Sequence, residues 1–173
     1  MKPARAAAVF AMLALAISCR ASGAPNQGKT AMDTLSGKLA VAPARIASTG
    51  SATLTLELTN RGAATLRIPS GSPLSFHPVV RDARGAVVEP SAQRLDVLSS
   101  PHWIDLEPAK STTLTLSIKP EAGHQLDVTT HTWRLTPGTY QIGGRFVVEA
   151  GDAPKGAWIG ALDLAPVALE VTP

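Results

Sequence analysis

An all-β chain is predicted by three features of the sequence. From residue 35 onward, apolar and polar residues alternate in several short stretches, glycine and proline sit at the breaks between them, and no segment keeps apolar residues at helical spacing for three turns without a proline. The 14 prolines and 14 glycines mostly stand where strands should end.

Taken along the chain, the first extended stretch is "KLAVAP" at 38–43. "ATLTLELTN" at 52–60 follows, with Leu54, Leu56 and Leu58 alternating with Thr53, Thr55, Glu57 and Thr59. That period of two gives a strand one dry face and one wet face. "TNRGAA" places Gly62, and later "RDARGAVV" places Gly85, where a hairpin needs positive φ, so each is expected to join antiparallel neighbours. "TLRIP", "LSFHPVVRD", "AVVEP" and "RLDVL" supply further short extended segments. "STTLTLSIK" repeats the alternation with Leu114, Leu116 and Ile118, and "TYQIGGRFVVE" sets Tyr140, Ile142, Phe146 and Val148 on one face. The final apolar run, "IGALDLAPVALEV", is interrupted by Asp163, Pro166 and Glu170, which leaves "VALEVT" as the last extended stretch.

Many short strands with turns about every ten residues indicate a sandwich or a barrel. "LTPGTYQI" narrows the choice, because Tyr140 follows a Pro-Gly turn at the mouth of a long apolar strand. Immunoglobulin-like sandwiches place there a tyrosine whose hydroxyl bonds upstream backbone. The expected architecture is therefore an immunoglobulin-like antiparallel β-sandwich of seven to nine strands over residues 34–173. Eight side chains, Leu54, Leu56, Leu58, Leu114, Leu116, Ile118, Ile142 and Phe146, are expected to share one core.

The N-terminus has a different grammar. Lys2 and Arg5 precede an uncharged apolar stretch from Ala6 to Ile17, and small residues follow, which is the pattern of a secretory signal peptide over residues 1–18. That stretch is shorter than the roughly 20 apolar residues needed to span a bilayer. Residues 19–33, with "RASGAPNQGKTAMD" after the cysteine, are small, polar and turn-forming and read as a flexible tether. Removing Lys2 and Arg5 with residues 1–18 lowers the net charge from +3 to +1, so most of the basicity belongs to the export signal. No run of basic residues with interleaved aromatics occurs, and nucleic acid is set aside as a partner.

Cys19 is the only cysteine, so no disulfide forms within the chain. Three fates are open to it. Ala16-Ile17-Ser18-Cys19 resembles the lipobox of bacterial lipoproteins, in which the cysteine is lipidated and becomes the new N-terminus; Ala16 stands where leucine is usual. Cleavage after Ala21 or Ala24 would discard the cysteine, and cleavage after Ser18 without lipidation would leave a free thiol. The lipid anchor is the expected fate, since a lone thiol entering an oxidising compartment invites intermolecular pairing. With Arg20 after the cysteine, the expected address is the periplasmic side of an outer membrane, or the soluble periplasm or medium if Cys19 is not lipidated.

The stretch from Leu54 to Val88, followed by "LEPAKSTTLTLSI" and "TWRLTPGTYQIGGRF", resembles the bacterial intracellular proteinase inhibitor family over roughly residues 52–148. That resemblance implies a β-sandwich domain and, for some members, protease inhibition. No reactive-site residues carry over from it.

No catalytic residues, cofactor or metal ligands are expected. There is no GxSxG elbow, and "SGSPLS" at 70–75 reads as a loop. Asp105 and Glu107 read as a solvated pair. His77, His102, His124 and His131 lie on separate segments without paired ligand spacing, and Met32, the only methionine beyond the signal, lies in the tether. Of the three tryptophans, Trp133 and Trp158 are expected in the core, Trp158 at the start of the last strand. Trp103, in "SSPHWIDLEP", is open to either reading. With His102 it marks a possible binding loop, since exposed aromatics are frequent hot spots.

The leading expectation is a non-enzymatic, envelope-anchored module that contacts a protein or cell-envelope polymer through loops or a strand edge, and the membrane through Cys19. A protease inhibitor using "SPHWIDLEP" or "IPSGSPLSF" is the alternative. A small hydrolase or metal carrier comes third.

Overall fold

A computed structural model describes residues 34–47, 50–70, 75–93, 102–118, 125–151 and 153–173. The expected export signal and tether, with Cys19, and also His124, "RLDVL" and most of "SGSPLS" lie outside the described residues.

Two sheets form the sandwich. In the first, β1 (Leu35–Ala42), β3 (Ala52–Asn60) and β9 (Ser111–Ile118) run antiparallel in the order β1-β3-β9. The second has the order β2-β13-β12-β5-β6, from β2 (Arg45–Ala47), β5 (Phe76–Asp82), β6 (Val87–Val88), β12 (Gly138–Val148) and β13 (Gly160–Thr172). Only the β2–β13 pair is parallel, because the N-terminal segment crosses from the first sheet to the second at Pro43. The eight strands of these sheets agree with the predicted sandwich. Their order is that of an immunoglobulin-like fold, the N-terminal segment divided between the sheets as β1 and β2 and the last two strands, β12 and β13, paired beside β5.

Alternation decides which faces meet. Leu54, Leu56 and Leu58 are fully buried, and Leu114, Leu116, Ile142 and Phe146 join them in one cluster, as expected. Ile118 pairs with Ala52 through its backbone, and its side chain lies outside the described set. The Tyr140 hydroxyl donates to the Thr136 carbonyl at 2.8 Å, which is the predicted corner. Gly144 has a packing reason to be glycine: a Cβ there would collide with the His77 carbonyl and lie 2.7 Å from the Phe76 ring.

The last strand departs from expectation. β13 begins at Gly160, two residues after Trp158, and continues through Pro166 instead of starting after it. Ile142 pairs with Val167 and Gly144 with Leu164, so β13 carries one extra residue between them. This bulge changes the phase of the alternation. Leu162 and Leu164 before it, and Val167, Leu169 and Val171 after it, therefore all join the core although they differ in parity.

The turns split. Gly85 has φ +82 and closes the β5–β6 hairpin, as expected. Gly62 does not join antiparallel neighbours and is not among the positive-φ residues. β3 pairs with β1 and β9, while β4 (Leu66–Ser70) leaves to pair with β8 (His102–Leu106). Gly62 N–H instead donates to Asn60 Oδ1 at 2.8 Å, a side-chain turn that replaces the hairpin. A second small sheet, β10 (Gln125–Val128), β11 (His131–Arg134) and β7 (Ala92–Gln93), is held to the second main sheet where Trp133 Nε1 donates to the Val88 carbonyl at 2.8 Å. Trp133 and Trp158 are buried, the latter stacked on Phe146 at 6.1 Å.

Candidate functional site

The segment marked as a possible binding loop is a strand. His102 and Trp103 open β8, which lies antiparallel to β4 with Ser70 opposite His102 and Pro69 opposite Trp103. The run "HWIDL" has the bulky and β-branched residues that favour extension, and β4 supplies the ladder.

Both faces of this ribbon are anchored. Side chains alternate, so Ile68 and Leu106 share one face, while Arg67, Pro69, Trp103 and Asp105 share the other. Ile68 and Leu106 are buried on the first face. On the second, Pro69 is buried and Trp103 is half-buried against the core cluster. His102 stays exposed at the open end. The β12–β13 connection braces the far side of β4: Ala157 bridges Arg67, and Trp158 N–H donates to the Arg67 carbonyl at 2.8 Å.

Asn60 fixes the base of the ribbon. It is fully buried, and its Nδ2 donates to the Ala64 and Leu106 carbonyls, each at 2.8 Å. One side chain thus ties the end of β3 to both the β3–β4 turn and the end of β8. Beside it, the exposed Arg67 guanidinium grips Asp105 with two bonds, at 2.7 and 2.9 Å. This hydrogen bonding holds the Asp105 carboxyl below its ordinary range and raises Arg67. Asp105 is therefore half of an ion pair, and Glu107 stands exposed beyond the strand. Two similar pairs, Arg145–Asp163 and Arg45–Glu170, lie on the second main sheet.

His77 is exposed on β5, while His131 on β11 is half-buried, stacked on Trp133 at 5.8 Å with Nδ1 3.1 Å from Thr130 Oγ1. Burial, and secondarily His77, lowers the His131 pKa. Among the described residues no three His, Cys, Asp or Glu side chains group closely enough to hold a metal ion.

Sequence reasoning singled out His102 and Trp103 but missed Arg67, Pro69 and Asn60. Only Asn60 had a local signal, the Asn-Arg-Gly turn; the other two gain their roles from a strand far along the chain.

No family model matches this chain, and no curated protein shows significant sequence similarity to it. Among solved structures it is similar to the CARDB domain of the PF1109 protein from Pyrococcus furiosus, solved in complex with di-metal ions, at 14% identity and TM-score 0.39, over 80% of this chain and 87% of that one. A structural-genomics target, SoR45, gives 16% identity and TM-score 0.37 over 82% and 89%. A β-glucosidase from Listeria innocua gives 11% identity and TM-score 0.39 over 80% of this chain and 16% of the enzyme.

Proposed function

We propose that the chain is an exported, lipid-anchored, non-enzymatic binding module of the bacterial cell envelope, which meets a protein or envelope polymer at the β4–β8 ribbon. The observation that carries this reading is the ribbon's construction. Apolar anchors on both faces and the buried Asn60 hold it rigid, while His102 and part of Trp103 remain accessible at its open end. A preordered surface loses little freedom on binding. The anchor rests on the N-terminal pattern of charge, apolar stretch, small residues and Cys19. Stable attachment needs two or more acyl chains, which lipoprotein maturation at a cysteine would supply.

The test is capture of partners from a membrane fraction by the full chain and by its His102→Ala and Trp103→Phe variants. The reading expects specific partners that both variants lose while the denaturation midpoint stays close to that of the parent. Equal capture by all three removes the ribbon from the account. Inhibition of a protease, with no envelope partner, would favour the inhibitor reading instead. Fractionation of full-length protein and Cys19→Ala checks the anchor. Soluble parent protein with no acyl mass on its N-terminal peptide would overturn it.

A further inference from the structure

Among the described residues, the edges of the two main sheets differ in how they are guarded, and one carries none of these guards. Bare N–H and C=O groups at a sheet edge are templates for another strand, and proteins blunt them with charge, proline, bulges or shortness. β1 carries the exposed Lys38 and ends at Pro43. β13 has its bulge and Pro166, which offers no N–H. β2 and β6 are three and two residues long. β9, "STTLTLSI", is eight residues long and contains no charge, no proline and no glycine, and its ladder with β3 runs without a register shift.

The groups that face outward follow from the ladder. Asn60 N–H donates to the Lys110 carbonyl at 3.0 Å, and on the other side Arg61 N–H donates to the Thr34 carbonyl at 2.7 Å. Hydrogen-bonded pairs recur at every second residue in an antiparallel sheet. Thr112, Leu114 and Leu116 therefore bond to Leu58, Leu56 and Leu54. Ser111, Thr113 and Thr115 turn their N–H and C=O groups away from β3. No described residue outside β3 hydrogen-bonds the backbone of these three. In an immunoglobulin-like sandwich this side of the sheet would hold a further strand; here β8, the described strand before β9, pairs with β4.

We infer that this edge joins a second copy of the chain, β9 pairing antiparallel with β9 about a two-fold axis at Thr113. The sequence is its own complement in that register. Thr113 meets Thr113, Ser111 meets Thr115, and Thr112 meets Leu114 of the other copy. Each outward pair exchanges two backbone hydrogen bonds, and hydroxyl side chains lie opposite one another on the exposed face. The absence of charge means that no like charges oppose on the axis. β10 also packs against β9 and follows its C-terminal end, while this centre lies in the N-terminal half of the strand. A two-fold contact of this kind closes on itself and gives a dimer, not a filament. The inference does not depend on the ribbon as a binding surface, since a monomer could carry that surface equally well.

The experiment is sedimentation of the full chain bearing Cys19→Ala, over a range of micromolar concentrations, with Thr113→Lys and Thr113→Asp beside it. The parent should form a concentration-dependent dimer. Each variant alone should weaken association by more than about tenfold, because like charges meet on the axis. Mixing the two should restore a heterodimer, an outcome that general destabilisation cannot produce. On the same background Thr113→Cys should form a disulfide dimer readily, whereas Glu57→Cys, on the exposed face of β3 away from the edge, should not. A parent that stays monomeric at every concentration overturns the inference. So does association that survives Thr113→Lys in a folded protein, or a mixture that fails to restore it. If Thr113→Lys does not fold, the cysteine pair decides alone: equal cross-linking at both positions sinks the proposal.

Discussion

The two main sheets and the two small sheets between β3 and β12 share one core but differ in how their strands are fixed to it. In the main sheets, rows of alternating apolar residues meet across a common interior, and Leu54, Leu56, Leu58, Ile142 and Phe146 have no exposed surface. In the small sheets, strands of two to five residues lend Ile68, Leu106, Leu126, Val128 and Trp133 to that interior, and single polar contacts set where they attach: Asn60 to Leu106, Trp133 to Val88, Arg67 to Asp105. The difference teaches where specificity resides. Burial builds the sandwich, and a few directional bonds decide what is attached to its side.

The comparison breaks first at the core. Leu56→Ala removes a fully buried side chain between β1 and β9 and should cost about 2–5 kcal/mol, read as a lower urea midpoint. A loss below about 1 kcal/mol would mean that the main sheets are not held as described. Next comes the polar clamp. Asn60→Ala strands the buried Leu106 carbonyl, removes the bond to Ala64 and should cost about 1–3 kcal/mol. If the small sheets are held as argued, amide exchange in β4 and β8 should quicken more than in β3. Uniform acceleration would erase the distinction. Tyr140→Phe deletes one bond at the lip of the core and should cost about 1 kcal/mol, with no change in which residues exchange.

The smallest effect sharpens the comparison through pH. Burial disfavours the His131 imidazolium in the fold, so its folded pKa lies below its ordinary value. As pH falls below that ordinary value, about 6.5, the unfolded chain takes up a proton that the folded chain refuses. Stability should therefore decline from there down to the lowered folded pKa and level off beneath it. His131→Gln should flatten this segment of the profile. Identical profiles for His131→Gln and the parent would show that the Trp133 stack does not sense protonation.

What could be read from the sequence follows the same division. Alternation is a local property, so β3, β9 and β12 and the Tyr140 corner were legible from a dozen residues each. The pairing of β4 with β8 was not, because it joins residues 32 to 40 positions apart and depends on Asn60 closing the base. Gly62 misled for the same reason. Its neighbour's side chain, invisible as a clamp without Leu106, turned a hairpin signal into a side-chain turn. His102 and Trp103 were found, yet their strand character came from β4.

The extra residue in β13 carries a consequence for solubility. Because Leu162 and Leu164 fall out of step with Val167, Leu169 and Val171, deleting Pro166 would bring all five into one regular alternation and give β12 a flush partner. The shortened chain should thus fold about as well as its parent. It would also present a straight, fully hydrogen-bonding border in place of a bent one, open to promiscuous growth. Faster precipitation at an unchanged midpoint would show that this residue guards against aggregation and contributes little to the protein's cohesion.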